Sequence, residues 1–179
     1  MLIWEYLDHT MKKLKSQTAN ILTLFNLTLG GFAIIAATQK ELNLCLLLIF
    51  LAALADRFDG MAARKLNIVS EIGKQLDSMC DIISFGVAPA LLIYQAVLSQ
   101  YGAPGALFSI IYIGCGAVRL ARFNVTENTG YFIGLPITAA GCLLTLSFLA
   151  VPFLPEFMYM YFILLLSFLM ISTFKLKKV

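Results

Sequence analysis

Long apolar segments joined by short connections dominate this 179-residue sequence and limit what it can fold into. A helix needs about 20 apolar residues to cross the hydrocarbon core of a bilayer. With 60% hydrophobic residues and a mean hydropathy of +0.88, the chain is far more apolar than a soluble domain. We therefore predict an all-α, polytopic membrane protein. Its six transmembrane helices are predicted at residues 19–38, 43–65, 71–98, 104–122, 132–152 and 157–174.

The segment before the first apolar run mixes charged and apolar residues. This pattern indicates an amphipathic helix lying in the membrane interface, a position for which Trp4 and Tyr6 are typical. A solvated leader is the alternative. The prediction is an amphipathic juxtamembrane helix at 1–17, followed by one six-helix membrane domain at 18–179, because no repeat or linker divides the rest.

The basic residues fall almost entirely on one side of this predicted topology. Six crossings place both termini on the same side, together with the connections after the second and fourth helices. Of the 13 Lys and Arg residues, only Lys40 falls on the opposite side, so the positive-inside rule makes the shared side cytoplasmic. The net charge of +3 is too small to indicate a nucleic-acid partner.

Two pairs of aspartates lie near the cytoplasmic ends of the second and third predicted helices. Asp56 and Asp59 are three residues apart, and Asp77 and Asp81 are four apart, so each pair projects from one helical face. A charge at the membrane centre costs about 2.5–3.5 kcal/mol, so four carboxylates near membrane depth need a cationic partner. Oxygen ligands without His or Cys suit Mg²⁺, Mn²⁺ or Ca²⁺.

The two aspartate pairs are predicted to lie at the same depth. Arg64 lies eight positions after Asp56, and Asp81 lies eight positions after Gly73, which is about 12 Å of helix on each side of the connection. If the two helices pack as an antiparallel hairpin, Asp56 lies level with Asp81 and the other two acids lie level with each other. Such a cluster could hold two metal ions.

Small residues share the faces that carry the acids. Gly60 and Ala63 follow the first pair, and Gly73 precedes the second. Close helix packing explains such a pattern. The alternative is that the missing side chains let a nucleotide or pyrophosphate approach the backbone, with Arg64 or Lys65 at the mouth to bind phosphate oxygens.

The spacing of these residues resembles the signature of a known enzyme family. The stretch from Asp56 to Arg64 reads DRFDGMAAR, and Gly73, Asp77 and Asp81 follow at fixed gaps. This pattern is similar to that of the CDP-alcohol phosphotransferases. The resemblance implies a homodimer of six-helix subunits that transfers the phosphatidyl group of a CDP-linked lipid to an alcohol, with CMP as the leaving group and two divalent metal ions as cofactors.

The resemblance also implies a role for each residue of the pattern. Asp81 becomes the catalytic base that takes the hydroxyl proton, and it can also contact a metal. The residues implied as metal ligands are Asp56, Asp59, Asp77 and Asp81. Those implied on the nucleotide side are Asp56, Gly60, Ala63, Arg64 and Gly73.

The acceptor alcohol has to be read from other segments. The stretches 84–90, 119–124 and 134–138 resemble the phosphatidylserine synthase branch of the family, which implies CDP-diacylglycerol as donor and L-serine as acceptor. Arg119 and Arg122 are three apart and could bind the carboxylate of serine. Positive-inside topology or snorkelling to lipid phosphates would also explain them. Glycerol 3-phosphate, which would use the same arginines, is the alternative acceptor.

Two other classes of protein compete with an enzyme. A divalent-cation transporter also places carboxylates at membrane depth, but it gives no reason for Gly60, Ala63 and Arg64, and no inverted repeat is evident. A purely structural membrane protein would avoid charges that are so costly to insert. The enzyme is therefore the preferred interpretation.

Overall fold

The computed structural model describes residues 21–66, 71–125 and 131–177, with side chains described except at 59–66, 71, 131–133 and 175–177. Helices make up most of these ranges, which confirms the predicted helical class. The predicted amphipathic helix at 1–17 lies outside the described residues. The α-helices are α1 (Ile21–Thr38), α2 (Leu42–Leu66), α3 (Glu71–Asp81), α4 (Ala88–Ala96), α5 (Ala103–Val125), α6 (Ile137–Ser147) and α7 (Phe157–Ile171).

Three described stretches are long and apolar enough to cross a membrane, namely α1, Ile72–Ala96 and α5. Helix α2 has 25 residues, but Asp56, Arg57 and Asp59 bring charge into its second half. The remaining apolar helices, Ile137–Ala150 and α7, are shorter. Length and composition thus support three of the six predicted crossings, and the count of six stays a prediction.

The third predicted crossing is one continuous helical path with a wider turn in its middle. A π-helix, Ile82–Val87, joins α3 to α4, and the Ala88 N–H donates to the Ile83 carbonyl five residues earlier. Pro89 explains the wide turn, because a proline ring inside a helix clashes with the carbonyl four residues before it. A 3₁₀-helix, Leu98–Tyr101, ends the segment.

A short antiparallel ribbon, absent from the sequence prediction, pairs β1 (Tyr131–Ile133) with β2 (Lys175–Lys177). The helix predicted at 132–152 therefore begins only at Ile137. Gly134 has a positive φ of 71°, and its N–H donates to the Phe174 carbonyl at 3.0 Å, so the chain turns there before α6 starts. The last helix likewise ends at Ile171, three residues before the predicted boundary.

Two buried clusters hold the helices together. The larger one joins the π-helix to α4, α5, α6 and α7 and includes Phe85, Tyr112 and Ile163. The smaller one joins α1, α2 and α4 around Ala33 and Ile49. Large apolar side chains also cover the outer faces of the helices, as expected for surfaces that contact lipid.

Candidate active site

Helices α2 and α3 bring three of the four predicted aspartates together. Asp56, Asp77 and Asp81 each offer one carboxylate oxygen, and these three oxygens all lie within 4.8 Å of one another. Asp81, the last residue of α3, is buried at 8% exposure. This is the convergence that an antiparallel hairpin of α2 and α3 requires. Asp59 lies on α2 one turn after Asp56, and its side chain is outside the described part.

The spread of the three oxygens is compatible with a hard divalent cation. Magnesium binds oxygen at about 2.0–2.1 Å and calcium at about 2.3–2.6 Å, so two ligands on opposite sides of one ion are separated by about 4–5 Å. The 4.8 Å limit falls within this range. The oxygen-only donor set and the concentration of negative charge also favour such an ion. The residues present therefore fit a divalent metal.

Arg119 lies on α5 beside this cluster. Its side chain is 9% exposed, and its guanidinium interacts electrostatically with Asp81. Its Nε atom is buried and has no hydrogen-bond partner among the described residues. Arg119 thus brings a positive charge and a hydrogen-bond donor toward the buried Asp81.

Arg122 has a different partner. Its side chain is exposed, and Nη1 donates a 3.0 Å hydrogen bond to the carbonyl oxygen of Ile171, the last residue of α7. A cation at the carboxyl end of a helix is favourable because the last carbonyl groups carry partial negative charge. Of the two arginines that the sequence groups together, Arg119 interacts with Asp81, and Arg122 bonds the end of α7.

A polar network ties α3 to the end of α5. The ammonium group of Lys74 donates to the Asn124 carbonyl oxygen at 3.0 Å, and Nδ2 of Asn124 donates to Oγ of Ser78 at 2.9 Å and to Oε1 of Gln75 at 3.3 Å. Ser78 directly follows Asp77. This network was not predicted from the sequence, although Asn124 is the last residue of the stretch 119–124 that resembles the phosphatidylserine synthase branch.

Helix α6 forms another side of the site. It packs against α2, the helix that carries Asp56. Cys142 lies on this helix, and an isolated Cys in an apolar run is typical of a core residue.

The predicted nucleotide-side residues are described only in part. Gly73 lies in the first turn of α3. The backbone of α2 continues as a helix through Gly60, Ala63 and Arg64, whose side chains are outside the described part. The structure therefore gives their place along α2 and no contact of their side chains.

The chain is similar to members of one known enzyme family. Residues 16–173 match the CDP-alcohol phosphatidyltransferase family. The chain is 42% identical over 136 residues to a CDP-diacylglycerol–serine O-phosphatidyltransferase of Bacillus subtilis, covering 75% of this chain and 77% of that protein. It is 36% identical to the Helicobacter pylori enzyme of the same name, over 87% of this chain and 70% of that protein. It is also 36% identical to an archaetidylserine synthase of Methanothermobacter thermautotrophicus, over 94% and 73% of the two chains.

Proposed function

The chain belongs to the CDP-alcohol phosphatidyltransferase family, and from this premise we propose that it transfers the phosphatidyl group of CDP-diacylglycerol to the hydroxyl of L-serine. The products are phosphatidylserine and CMP. The convergence of Asp56, Asp77 and Asp81 beside Arg119 carries this proposal, because it joins a metal-binding donor set to a buried cation. The names of the similar bacterial enzymes support serine as acceptor.

We assign metal binding to the carboxylates of α2 and α3. Asp56, Asp59 and Asp77 are the main ligands in this proposal, and Asp81 can also contact a metal. Two divalent ions, Mg²⁺ or Mn²⁺ with Ca²⁺ as a further option, would neutralise the pyrophosphate and stabilise the charge of the leaving and attacking oxygens. The 4.8 Å limit on the three described oxygens supports metal binding at this cluster.

Asp81 is the proposed general base. The serine hydroxyl attacks the phosphorus on the lipid side of the pyrophosphate, Asp81 accepts the hydroxyl proton, and the bond to CMP breaks. Its position supports this role, since Asp81 is buried at the junction of α3 and the π-helix, next to the other described aspartates.

Arg119 is the proposed acceptor-binding residue. A guanidinium binds a carboxylate through charge-assisted hydrogen bonds, and the Nε of Arg119 has no partner among the described residues. The interaction of Arg119 with Asp81 would hold the acceptor hydroxyl near its base. Arg122 is the second proposed acceptor contact: its Nη1 bonds the Ile171 carbonyl, and the guanidinium has further N–H groups that could bind the acceptor.

The nucleotide is proposed to lie against the second half of α2 and the start of α3. The small side chains of Gly60, Ala63 and Gly73 would allow CDP to approach the helix backbones, and Arg64 would bind phosphate oxygens. Asp56 would contact the nucleotide through the metal site.

We further propose a homodimer whose subunits each cross the membrane six times, with both termini and the active site on the cytoplasmic side. The three long apolar stretches and the one-sided distribution of Lys and Arg support this topology. A site inside a membrane domain also suits the substrate, because the acyl chains of the donor can stay in the bilayer.

The purified protein in detergent, given CDP-diacylglycerol and Mg²⁺ or Mn²⁺, tests the proposal. We expect CMP release with L-serine and little with glycerol 3-phosphate, inositol or no alcohol, measured by chromatography of CMP and of the lipid product. Release only with glycerol 3-phosphate would reassign the acceptor. No release with any alcohol would overturn the enzymatic function.

A further inference from the structure

The π-helix begins directly after Asp81 and ends just before Pro89. Proline has no N–H, so residue 89 cannot donate the helical hydrogen bond to the carbonyl of Phe85, four residues earlier. Such breaks are tolerated inside membranes when neighbouring helices and local π geometry satisfy the freed backbone groups. The sequence thus removes the usual α-helical donor of the Phe85 carbonyl, one turn beyond the proposed base.

Tyr112 on α5 supplies that donor. Its hydroxyl donates a 3.1 Å hydrogen bond to the carbonyl oxygen of Phe85, and both side chains are fully buried. An unsatisfied buried carbonyl is costly, so this bond fixes the π-helix to α5. Helix α5 is also the helix that carries Arg119.

Two other helices confine the same segment. Oγ of Ser84 donates to the backbone carbonyl of Asn26 on α1 at 3.3 Å. Gly141 on α6 packs so closely that a methyl group in place of its hydrogen would lie 2.6 Å from the Phe85 carbonyl oxygen. The π-helix is therefore held from three sides by contacts to its backbone and its short side chains.

Because the π-helix is fixed by these contacts, it sets the orientation of the Asp81 side chain. Each residue turns an α-helix by about 100°. The extra residue in a π turn therefore rotates the side chains of α3 by about that angle relative to those of α4. The buried face of α4, which includes Leu92 and Ile93, is fixed in the core. The orientation of Asp81 then depends on whether the π turn between them persists.

We infer that Tyr112 is a positioning residue for the proposed reaction: by bonding the Phe85 carbonyl it maintains the π-helix that aims Asp81 at the acceptor and at Asp56. This inference rests on the proposed function for its catalytic part only. Its structural part, the dependence of the π-helix on the Tyr112 hydroxyl, stands on the contacts alone.

The variant Tyr112→Phe removes the hydroxyl and keeps the ring. We expect kcat for phosphatidylserine formation to fall about tenfold, while KM for serine and for CDP-diacylglycerol changes less than about twofold, because only transition-state geometry is lost. Amide hydrogen exchange across residues 82–90 should become at least about fivefold faster, because one buried hydrogen bond is missing.

Tyr159→Phe is a matched control. Tyr159 is also buried, and its hydroxyl also donates to a backbone carbonyl, that of Ser147 at 2.9 Å, but it joins α7 to the end of α6. We expect this variant to leave both kcat and the exchange of residues 82–90 unchanged. An equal loss of kcat in the two variants would reduce Tyr112 to a general stabilising role and overturn the inference.

A second pair of variants tests the contact between α6 and the same carbonyl. Gly141→Ala should lower kcat as Tyr112→Phe does, whereas Gly114→Ala on α5, where an added methyl meets nothing within 4 Å, should be neutral.

Unchanged exchange in Tyr112→Phe would overturn the inference even if the wild-type protein made no lipid product. Faster exchange with unchanged kcat in an active enzyme would overturn the positioning role and leave the proposed function intact.

Discussion

The ammonium group of Lys74 lies 3.0 Å from the backbone carbonyl oxygen of Asn124, to which it donates a hydrogen bond, and 5.7 Å from the centre of the Phe123 ring. Lys74 is on α3 and Asn124 is one residue from the end of α5. A cation at this end of α5 offsets the partial negative charge of the last carbonyl groups. The helix that carries Asp77 and Asp81 is thereby attached to the helix that carries Arg119.

Asn124→Ala should loosen this attachment. The variant loses the side-chain hydrogen bonds to Ser78 and Gln75, so we expect it to be destabilised by about 1 kcal/mol and to lose activity because Asp81 and Arg119 are held together less well. Thermal unfolding in detergent and the rate of CMP release measure the two effects. Combining the change with Ser78→Ala in a double-mutant cycle gives the coupling energy. Additive effects would contradict a direct bond between the two side chains.

The proposed metal cluster could be predicted because it depends on spacings between residues that are close in the sequence. The spacings of Asp56 to Asp59 and of Asp77 to Asp81 set their helical faces, and equal distances from one short connection set their depth. The structure brings Asp56, Asp77 and Asp81 together as that reasoning requires. The same kind of reasoning located the helices from the lengths of the apolar runs.

The features that were missed depend on contacts between distant parts of the chain. The ribbon pairs Tyr131 with Lys177, and neither three-residue strand carries a pattern of its own. The bond from Arg122 to the Ile171 carbonyl depends on how α5 is rotated against α7, which a spacing of three residues does not specify. The π-helix had a local signal in Pro89, but its bond to Tyr112 joins residues 27 apart in the sequence.

The aspartates are expected to divide into two functional groups. Asp77→Asn should weaken Mn²⁺ binding by about 10–100-fold or more, since changes even outside the first coordination shell have effects of that size. Asp81→Asn should lower kcat by at least about 100-fold while metal-dependent binding of CDP is retained, because a lost general base is worth that much. Mn²⁺ titration by electron paramagnetic resonance and kinetics at saturating metal separate the two. Full activity in Asp81→Asn would remove it as the base.

Metal removal should inactivate the enzyme and lower its stability. Repulsion among Asp56, Asp77 and Asp81 is stronger without a bound metal ion, so chelation with EDTA is expected to lower the unfolding temperature and to abolish CMP release. Adding Mg²⁺ or Mn²⁺ should restore both. A matched titration of Asp77→Asn, which has one carboxylate fewer, should show a smaller effect of EDTA on stability. An unfolding temperature independent of divalent ions would argue against the metal site.

Neighbouring glycines on α1 provide a test of the packing against the π-helix. A methyl group at Gly30 would collide with Oγ of Ser84, whereas one at Gly31 would meet nothing within 4 Å. Gly30→Ala should therefore destabilise the protein by about 1–3 kcal/mol through overpacking. Gly31→Ala should be neutral or stabilise by up to about 1 kcal/mol, because alanine is the better helix former. Equal unfolding temperatures for the two variants would contradict the close approach of α1 to Ser84.

Substitutions of the two arginines of α5 are expected to differ in their effects on KM for serine and on stability. Arg119→Gln removes a buried cation beside Asp81, and the loss of charge-assisted hydrogen bonds to the carboxylate of serine should raise KM for serine by about 10–100-fold. Arg122→Gln removes a bond to the end of α7, so it should lower stability by about 0.3–1 kcal/mol and change KM for serine less than about threefold.

Measuring KM for serine and for CDP-diacylglycerol in both variants, with unfolding temperatures alongside, distinguishes the two roles. The Arg119 effect should be confined to the acceptor, because the donor is bound through its nucleotide and the metal site. If Arg122→Gln raised KM for serine as much as Arg119→Gln does, both guanidinium groups would contact the acceptor, and the assignment of Arg122 to a mainly structural role would be wrong.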